Sequence, residues 1–214
     1  MSTAAQLDVG PAVPLLPPTP EFSPARRRVF EAAIVLFGER GYHAVSVKDI
    51  AGALSLTPMA LYTHAASKQD LLFEIVKIGF ETHRAEVGAA LLEAGADPVD
   101  QVRALVAAHV RVHLQYAPLA RVTIREVDQL DERFADQLDL LRTESVRTFF
   151  DVVERGQRLG VFTDADPELL IHAVAGLGTR APDWWTPASR FSADEVVETF
   201  TRFAVSILTA GQPR

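Results

Sequence analysis

The sequence predicts an all-α fold on three observations. Apolar residues recur at spacings of three and four along most of the chain, which is typical of amphipathic helices. Serine, threonine or aspartate, often followed by proline, stands where these patterns begin. No stretch of useful length alternates between apolar and polar residues as a strand would. Nine helices are expected, at about residues 23–41, 47–54, 57–64, 67–92, 97–116, 118–130, 131–159, 166–177 and 192–208.

Local capping signals predict most of these helix starts. Ser23 is a suitable N-cap, and a proline follows it at the first helical position, where the missing N–H is not needed. Ser46 and Asp49 have the spacing of a capping box, and so do Ser67 and Asp70. Gly41 suits the end of the first helix.

Composition excludes several classes of protein. The chain has 214 residues, of which 48% are hydrophobic and 23% charged, so it can bury a sizeable core. Because cysteine is absent, disulfide scaffolds and cysteine-based nucleophiles or metal sites are excluded. No apolar run approaches the ~18 residues of a membrane-spanning helix, and the N-terminus lacks the pattern of a secretory signal. We expect a cytoplasmic protein.

Charge is unevenly distributed along the chain. The formal net charge is −7, yet residues 23–78 hold seven Lys/Arg side chains against five Asp/Glu. A mildly basic module on an acidic body fits a protein that presents one end to a phosphate backbone.

Two short helices in this module, at 47–54 and 57–64, are joined by a tight link and predict a helix-turn-helix. In such a motif the second helix enters the DNA major groove. The predicted organisation is therefore a tail over 1–22, a three-helix DNA-binding domain over 23–66, and a larger helical domain over 67–214. The tail contains five prolines and is expected to be disordered or loosely extended. It either has no role or is an arm that contacts DNA or the body.

Four stretches between residues 28 and 72 resemble the TetR family of transcriptional regulators. They read RVFEAAIVLFGERGY (28–42), SVKDIA (46–51), LTPMALYTH (56–64) and SKQDLL (67–72), in unbroken register. The resemblance implies a homodimer that binds palindromic operator DNA as a repressor and is released by a small-molecule effector. It also implies that residues 67–214 form the ligand-binding and dimerisation domain.

The resemblance also implies which residues contact double-stranded DNA. The start of the second helix of the motif reaches base edges, and Tyr62 is suited to donate a hydrogen bond to a phosphate. For Ser46 a contact with DNA and plain capping of its helix are equally compatible with the sequence, and for Met59 so are a contact with DNA and plain packing. The full set is Ser46, Thr57, Pro58, Met59, Tyr62, His64 and Lys68. No arginine or asparagine stands at the reading end, so the operator sequence does not follow from these residues.

The last two helices are rich in apolar residues, and in the family two such helices from each subunit form a four-helix dimer interface. The alternative is that these apolar residues pack in the core of a single chain. One helix can contribute both to that core and to a dimer interface. The segments DWWTP (183–187) and SADEVV (192–197) look like the tail of a TetR subgroup that controls lipid or steroid catabolism in response to fatty acyl or acyl-CoA ligands. The alternative to this subgroup resemblance is that the two tryptophans form a corner that packs the last helix in place.

In this family the effector pocket lies among the middle helices. The residues expected to line it are His109, Val112, His113, Tyr116, Ile124, Phe149, Val153 and His172. His109 and His113 have the spacing of metal ligands on a helix, but no third ligand is evident beside them, so we interpret the pair as a polar helix face. No metal and no cofactor are expected.

The predicted function is thus a ligand-responsive transcriptional repressor, with an apolar or acyl-type effector. Two alternatives stay within the family: an activator, or a protein-binding module without specific DNA binding. An enzyme is not expected, because the chain has no Glu-x-x-His pair, no phosphate-binding glycine loop and no G-x-S-x-G motif.

Overall fold

The computed structural model describes residues 13–211, and these residues form nine α-helices and no strand. The helices are α1 (Pro24–Arg40), α2 (Val47–Ala53), α3 (Pro58–Tyr62), α4 (Lys68–Glu93), α5 (Pro98–Gln115), α6 (Ala117–Glu126), α7 (Ala135–Arg158), α8 (Pro167–Thr179) and α9 (Ala193–Leu208). Short 3₁₀ turns occupy Val127–Gln129, Glu132–Phe134 and Ala181–Asp183. The all-α prediction is confirmed. Within the described residues, no helix combines the length and the apolar character needed to cross a bilayer.

Seven helices begin at a side-chain cap, as the sequence predicts. The N-cap oxygens that accept a backbone N–H of the first turn belong to Ser23, Ser46, Thr57, Ser67, Asp97, Asp166 and Ser192. The boundary between α6 and α7 differs from the prediction, because residues 127–134 tighten into two 3₁₀ turns. These turns bury Phe134, whose ring stacks on that of Phe73 with centroids 4.2 Å apart.

The proline-rich N-terminal segment packs on the protein wherever the structure describes it. Residues 1–12 lie outside the described part, but Leu16 is buried in the core. The Arg27 guanidinium donates to the backbone carbonyls of Leu16 and Pro17, each at 3.0 Å. The expectation of a loose tail is therefore corrected for residues 13–22. An aliphatic side chain between prolines gives the segment an anchor that its composition does not reveal.

Two buried clusters make up the core. One joins α1, α2, α3 and the first half of α4 to α6 and one end of α5, and it includes Phe30, Leu61 and Val122. The other lies among α5, α7, α8 and α9. The first cluster means that the helix-turn-helix module, which we call the head, shares its core with α4 and α6. The head consists of α1, α2 and α3, and helices α4 to α9 form the body.

Candidate DNA-reading helix and effector cavity

Helix α3 turns one side chain inward and several outward. Leu61 is fully buried, whereas Thr57, Pro58, Met59 and Tyr62 are exposed. The Met59 side chain is 76% exposed, so packing does not explain it. The tight link before α3 places Ser55 in the left-handed region, at φ 56°, and the Leu56 N–H donates to the Ala51 carbonyl at 2.8 Å. This geometry leaves the N-terminal end of α3 free to approach a groove.

The other residues predicted to contact DNA lie around α3. His64 follows the end of α3 and is half-buried. Ser46 is exposed, and its hydroxyl donates to the Asp49 carboxylate at 2.5 Å while it accepts the Asp49 N–H. The bond from the Ser46 hydroxyl lowers the pKa of the Asp49 carboxyl, as does the Ser46 N–H, which donates to the same carboxylate at 2.7 Å. The Ser46 hydroxyl is thus committed to capping α2, and its contact with a phosphate stays a prediction.

Lys68 has a structural role that the sequence did not suggest. Its ammonium donates to the Tyr42 carbonyl at 3.0 Å and to the Val45 carbonyl at 2.9 Å, and it lies 3.9 Å from the centroid of the Tyr42 ring. Partial burial lowers the Lys68 pKa. Lys68 therefore clamps the turn between α1 and α2 onto α4. A lysine at a helix N-terminus is unfavourable by itself, because its charge opposes the helix dipole. The clamp explains why a lysine stands there, so a contact with phosphate is not needed to explain it.

We expect Lys68→Ala to lower the free energy of unfolding by about 1–2 kcal/mol, because two carbonyls lose a charged donor. The measurement is chemical unfolding followed by circular dichroism. Lys48→Ala is the matched control, since Lys48 is an exposed lysine of α2. If Lys68 also contacts a phosphate, the salt slope of DNA binding falls by about 1 for each subunit. Equal stabilities of the two variants would contradict the clamp.

A cavity of ≈ 310 Å³ lies in the body among α4, α5, α6, α7 and α8. Its lining is mostly apolar. Five residues predicted for the effector pocket line it: His109, Val112, His113, Tyr116 and Ile124. The cavity is at the lower end of the size range of small-molecule sites.

Three predicted pocket residues lie elsewhere. Phe149 and Val153 belong to the second buried cluster, and the Phe149 ring is 5.7 Å from the His109 ring. His172 is on the outer face of α8 with its side chain 77% exposed, 3.8 Å from the Glu168 carboxylate. These three predictions are corrected. Helix α8 is apolar on nearly all sides, so periodicity did not indicate which face turns inward.

The structure also brings a third histidine to His109 and His113, which corrects the view that the pair has no further partner. His83 of α4 lines the cavity, and its Nε2 is 2.8 Å from His109 Nδ1. His109 and His113 are 3% and 8% exposed, so they are not a polar face in water. His83 is 26 positions before His109, and no local pattern connects them.

Burial keeps the three imidazoles neutral. It lowers the pKa of His83 to about 3, assisted by the charge of His113, and lowers that of His109 well below its ordinary value. The His113 pKa is lowered for the same reason, although a bond to the His109 carbonyl opposes the shift.

The wall of the cavity where α4 meets α6 requires a glycine on α4. Thr123 of α6 has a buried hydroxyl with no hydrogen-bond partner among the described residues. A Cβ placed on Gly79 of α4 would lie 2.1 Å from this hydroxyl oxygen. Gly79 therefore permits the close approach of α4 and α6 at the cavity. A glycine within a long helix was the one available signal for this contact.

Comparison with known proteins decides the family. The model for bacterial regulatory proteins of the tetR family matches residues 29–75. The model for a tetracyclin repressor-like C-terminal domain matches residues 95–208, more than half of the chain. The chain belongs to the TetR family. This TetR-family protein is a transcriptional regulator and not an enzyme, as the sequence predicts.

Similar proteins match along most of the TetR-family chain. The HTH-type transcriptional repressor KstR2 of Rhodococcus jostii is 29% identical over 179 residues, covering 82% of this chain and 86% of the relative. The crystal structure of a tetR-family regulatory protein from Rhodococcus has a TM-score of 0.81 at 26% identity, covering 87% of this chain and 98% of that one. The structure of AibR in complex with isovaleryl coenzyme A and operator DNA has a TM-score of 0.75. AibR is 22% identical, with coverage of 86% of this chain and 97% of its own, and shows a shared fold.

Proposed function

We propose that this protein is a repressor that binds a palindromic operator as a homodimer and leaves it when a small apolar or acyl-type effector enters the body. The observation that carries the proposal is the exposed N-terminal end of α3. Three consecutive side chains, Thr57, Pro58 and Met59, face outward there while Leu61 anchors the helix in the core. A repressor of this kind acts where the chromosome is, so we propose a cytoplasmic location.

For DNA binding, we assign base-edge contacts to Thr57, Pro58 and Met59. Apolar side chains at this end suit the methyl group of thymine, and the threonine hydroxyl suits either a donor or an acceptor on a base. Tyr62 is one turn further on and is 46% exposed, which leaves its hydroxyl free to donate to a phosphate.

For dimerisation, we assign the outer faces of α8 and α9. Helix α9 packs inward through Val196, Val197 and Ala204, yet Phe203 on another face is 48% exposed. Leu169 of the neighbouring α8 is 69% exposed. Large apolar side chains exposed on adjacent helices mark an interaction surface. A two-fold axis through this surface would present two copies of α3 to two half-sites.

For the effector, we assign the cavity. Its volume equals that of about ten water molecules, so it suits a compact apolar group such as a short acyl chain. Arg142 lines the cavity and donates to the Asp128 carboxylate at 2.7 Å. Its half-exposed guanidinium is available to an anionic portion of a larger ligand that remains outside. The binding of isovaleryl coenzyme A by the structural neighbour AibR supports this class of effector.

For the switch, we assign α6 together with α4. Thr123 and Ile124 of α6 line the cavity, and the end of the same helix holds the head. The Tyr42 N–H donates to the Glu126 carboxylate at 3.1 Å, and the His43 and Gln129 side chains are hydrogen-bonded at 2.5 Å. A ligand that displaces α6 therefore moves the head, and with it the spacing between half-sites. A 100-fold loss of affinity for DNA needs about 2.7 kcal/mol of coupling, within the usual range.

Tyr62→Phe tests the DNA contact. We expect 10- to 30-fold weaker binding by the dimer to DNA from the protein's own promoter, because each subunit loses one hydrogen bond of about 1 kcal/mol. The measurement is fluorescence anisotropy at several salt concentrations. Since tyrosine is neutral, the salt slope should not change.

Tyr116→Phe is the matched control, because it removes a hydroxyl that lines the cavity and not the head. Equal affinities of the two variants would remove Tyr62 from the phosphate contacts. If the unaltered protein does not bind duplex DNA at all, the repressor proposal is wrong, and the alternative of a protein-binding module is favoured.

A further inference from the structure

We propose that His83, His109 and His113 form a binding site for a divalent transition metal such as Zn²⁺ in the wall of the cavity. Each histidine offers one ring nitrogen, and these three atoms lie within 4.8 Å of one another. The ring centroids are 4.5–5.5 Å apart. Three nitrogen ligands around a Zn²⁺ ion at 2.0–2.1 Å require only small movements of these side chains. All three also line the cavity.

The backbone holds two of the rings in the orientation that a metal requires. His109 Nε2 is 3.0 Å from the Ala175 carbonyl, to which it donates, and His113 Nδ1 donates to the His109 carbonyl at 2.7 Å. A carbonyl accepts only a protonated nitrogen, so the lone pairs are on His109 Nδ1 and His113 Nε2. A metal ion would replace the hydrogen bond that His83 Nε2 now makes to His109 Nδ1. Histidines that ligate metals are oriented by the same kind of bond from the nitrogen that does not ligate.

The three histidines are neutral, and a neutral imidazole is the form that binds a metal ion. Metal ligation needs neutral imidazole, and the pKa of each of the three is lowered by burial. No carboxylate of the described residues belongs to the cluster. Imidazole ligands suit zinc, copper, nickel and iron rather than magnesium or calcium.

The site leaves room for a fourth ligand. Zn²⁺ is commonly four-coordinate, so three protein ligands leave one position open to a further ligand. Because all three histidines line the cavity, such a ligand could approach from there. A water molecule or an oxygen atom of the effector completes the coordination. The metal would thus orient an effector whose remaining atoms contact apolar walls.

The position of the His109 ring requires a glycine at residue 178 of α8. A Cβ on this residue would lie 2.2 Å from Cδ2 of the His109 ring. Any side chain at this position therefore displaces the ring and disturbs its bond to the Ala175 carbonyl. Gly178→Ala tests the site without the removal of a ligand.

The test is a titration of the full chain, purified without a histidine tag and treated with a chelator, with Zn²⁺ and with Co²⁺. We expect one Zn²⁺ per chain and visible Co²⁺ absorption of a four- or five-coordinate complex. His83→Ala should lower the Zn²⁺ affinity at least tenfold, and Gly178→Ala should lower it and shift the Co²⁺ bands. His172→Ala is the matched control, because His172 is an exposed histidine outside the cluster.

Substoichiometric binding by the unaltered protein would overturn the proposal, and so would equal Zn²⁺ affinities of the His83 and His172 variants. Circular dichroism confirms that each variant is folded before titration. The measurement uses no DNA, so its failure leaves the repressor proposal intact. A failure of DNA binding likewise leaves the metal site standing.

Discussion

Phe203→Arg should convert the protein to a monomer and weaken its binding to DNA of its own promoter about 100-fold. Phe203 is 48% exposed on α9, and its ring is 6.5 Å from that of Phe200, whose ring in turn is 6.2 Å from that of Trp184. A two-fold interface repeats each residue, so the substitution places two buried charges in one contact. The loss of an aromatic anchor in each subunit is enough to separate the subunits.

Sedimentation velocity gives the oligomeric state, and anisotropy gives the affinity for DNA. Leu92→Arg is the matched control, since Leu92 is the most exposed large apolar residue of α4 at 89%. It should leave a dimer with unaltered affinity. A dimeric Phe203 variant would place the interface elsewhere.

Phe30→Ala should lower the free energy of unfolding by about 3–5 kcal/mol, as large-to-small changes of a buried aromatic residue do. Phe30 is fully buried, and its ring meets that of Phe22 edge to face at 4.8 Å. The same cluster includes Leu119 and Val122 of α6. Head and body should therefore unfold together, in a single transition that moves to lower denaturant concentration.

Urea unfolding, followed both by circular dichroism and by tryptophan fluorescence, measures the effect. The two tryptophans are in the body, at Trp184 and Trp185, so they report on a part of the chain that Phe30 does not touch. Leu140→Ala is the control, with an expected change within about 0.5 kcal/mol, because Leu140 is exposed on α7. Two separate transitions would contradict a shared core.

Local physics explains why the sequence predicted the helices well. A cap such as Ser192 with Glu195 depends on residues three positions apart. Both backbone bonds of this capping box form in the structure, from the Ser192 N–H to the Glu195 carboxylate and from the Glu195 N–H to the Ser192 hydroxyl. The predicted pocket residues of α5 and its end, His109, Val112, His113 and Tyr116, stand three or four positions apart and line the cavity together. Those signals need no knowledge of how the chain folds back on itself.

The parts that the sequence missed depend on contacts between distant segments. His83 meets His109 because α4 and α5 pack side by side. Lys68 reaches the carbonyls of Tyr42 and Val45 across the head. Leu16 is buried against helices that follow it. Spacing along the chain does not reveal any of these.

The proposed repressor requires that α3 reads a groove and that a symmetric pair of chains presents it twice. The most direct measurement is the affinity for promoter DNA across a range of salt concentrations, with the stoichiometry determined in the same samples. We predict two chains per operator and a logarithm of affinity that falls linearly with the logarithm of salt. A single chain per duplex, with an affinity indifferent to salt, would contradict the claim.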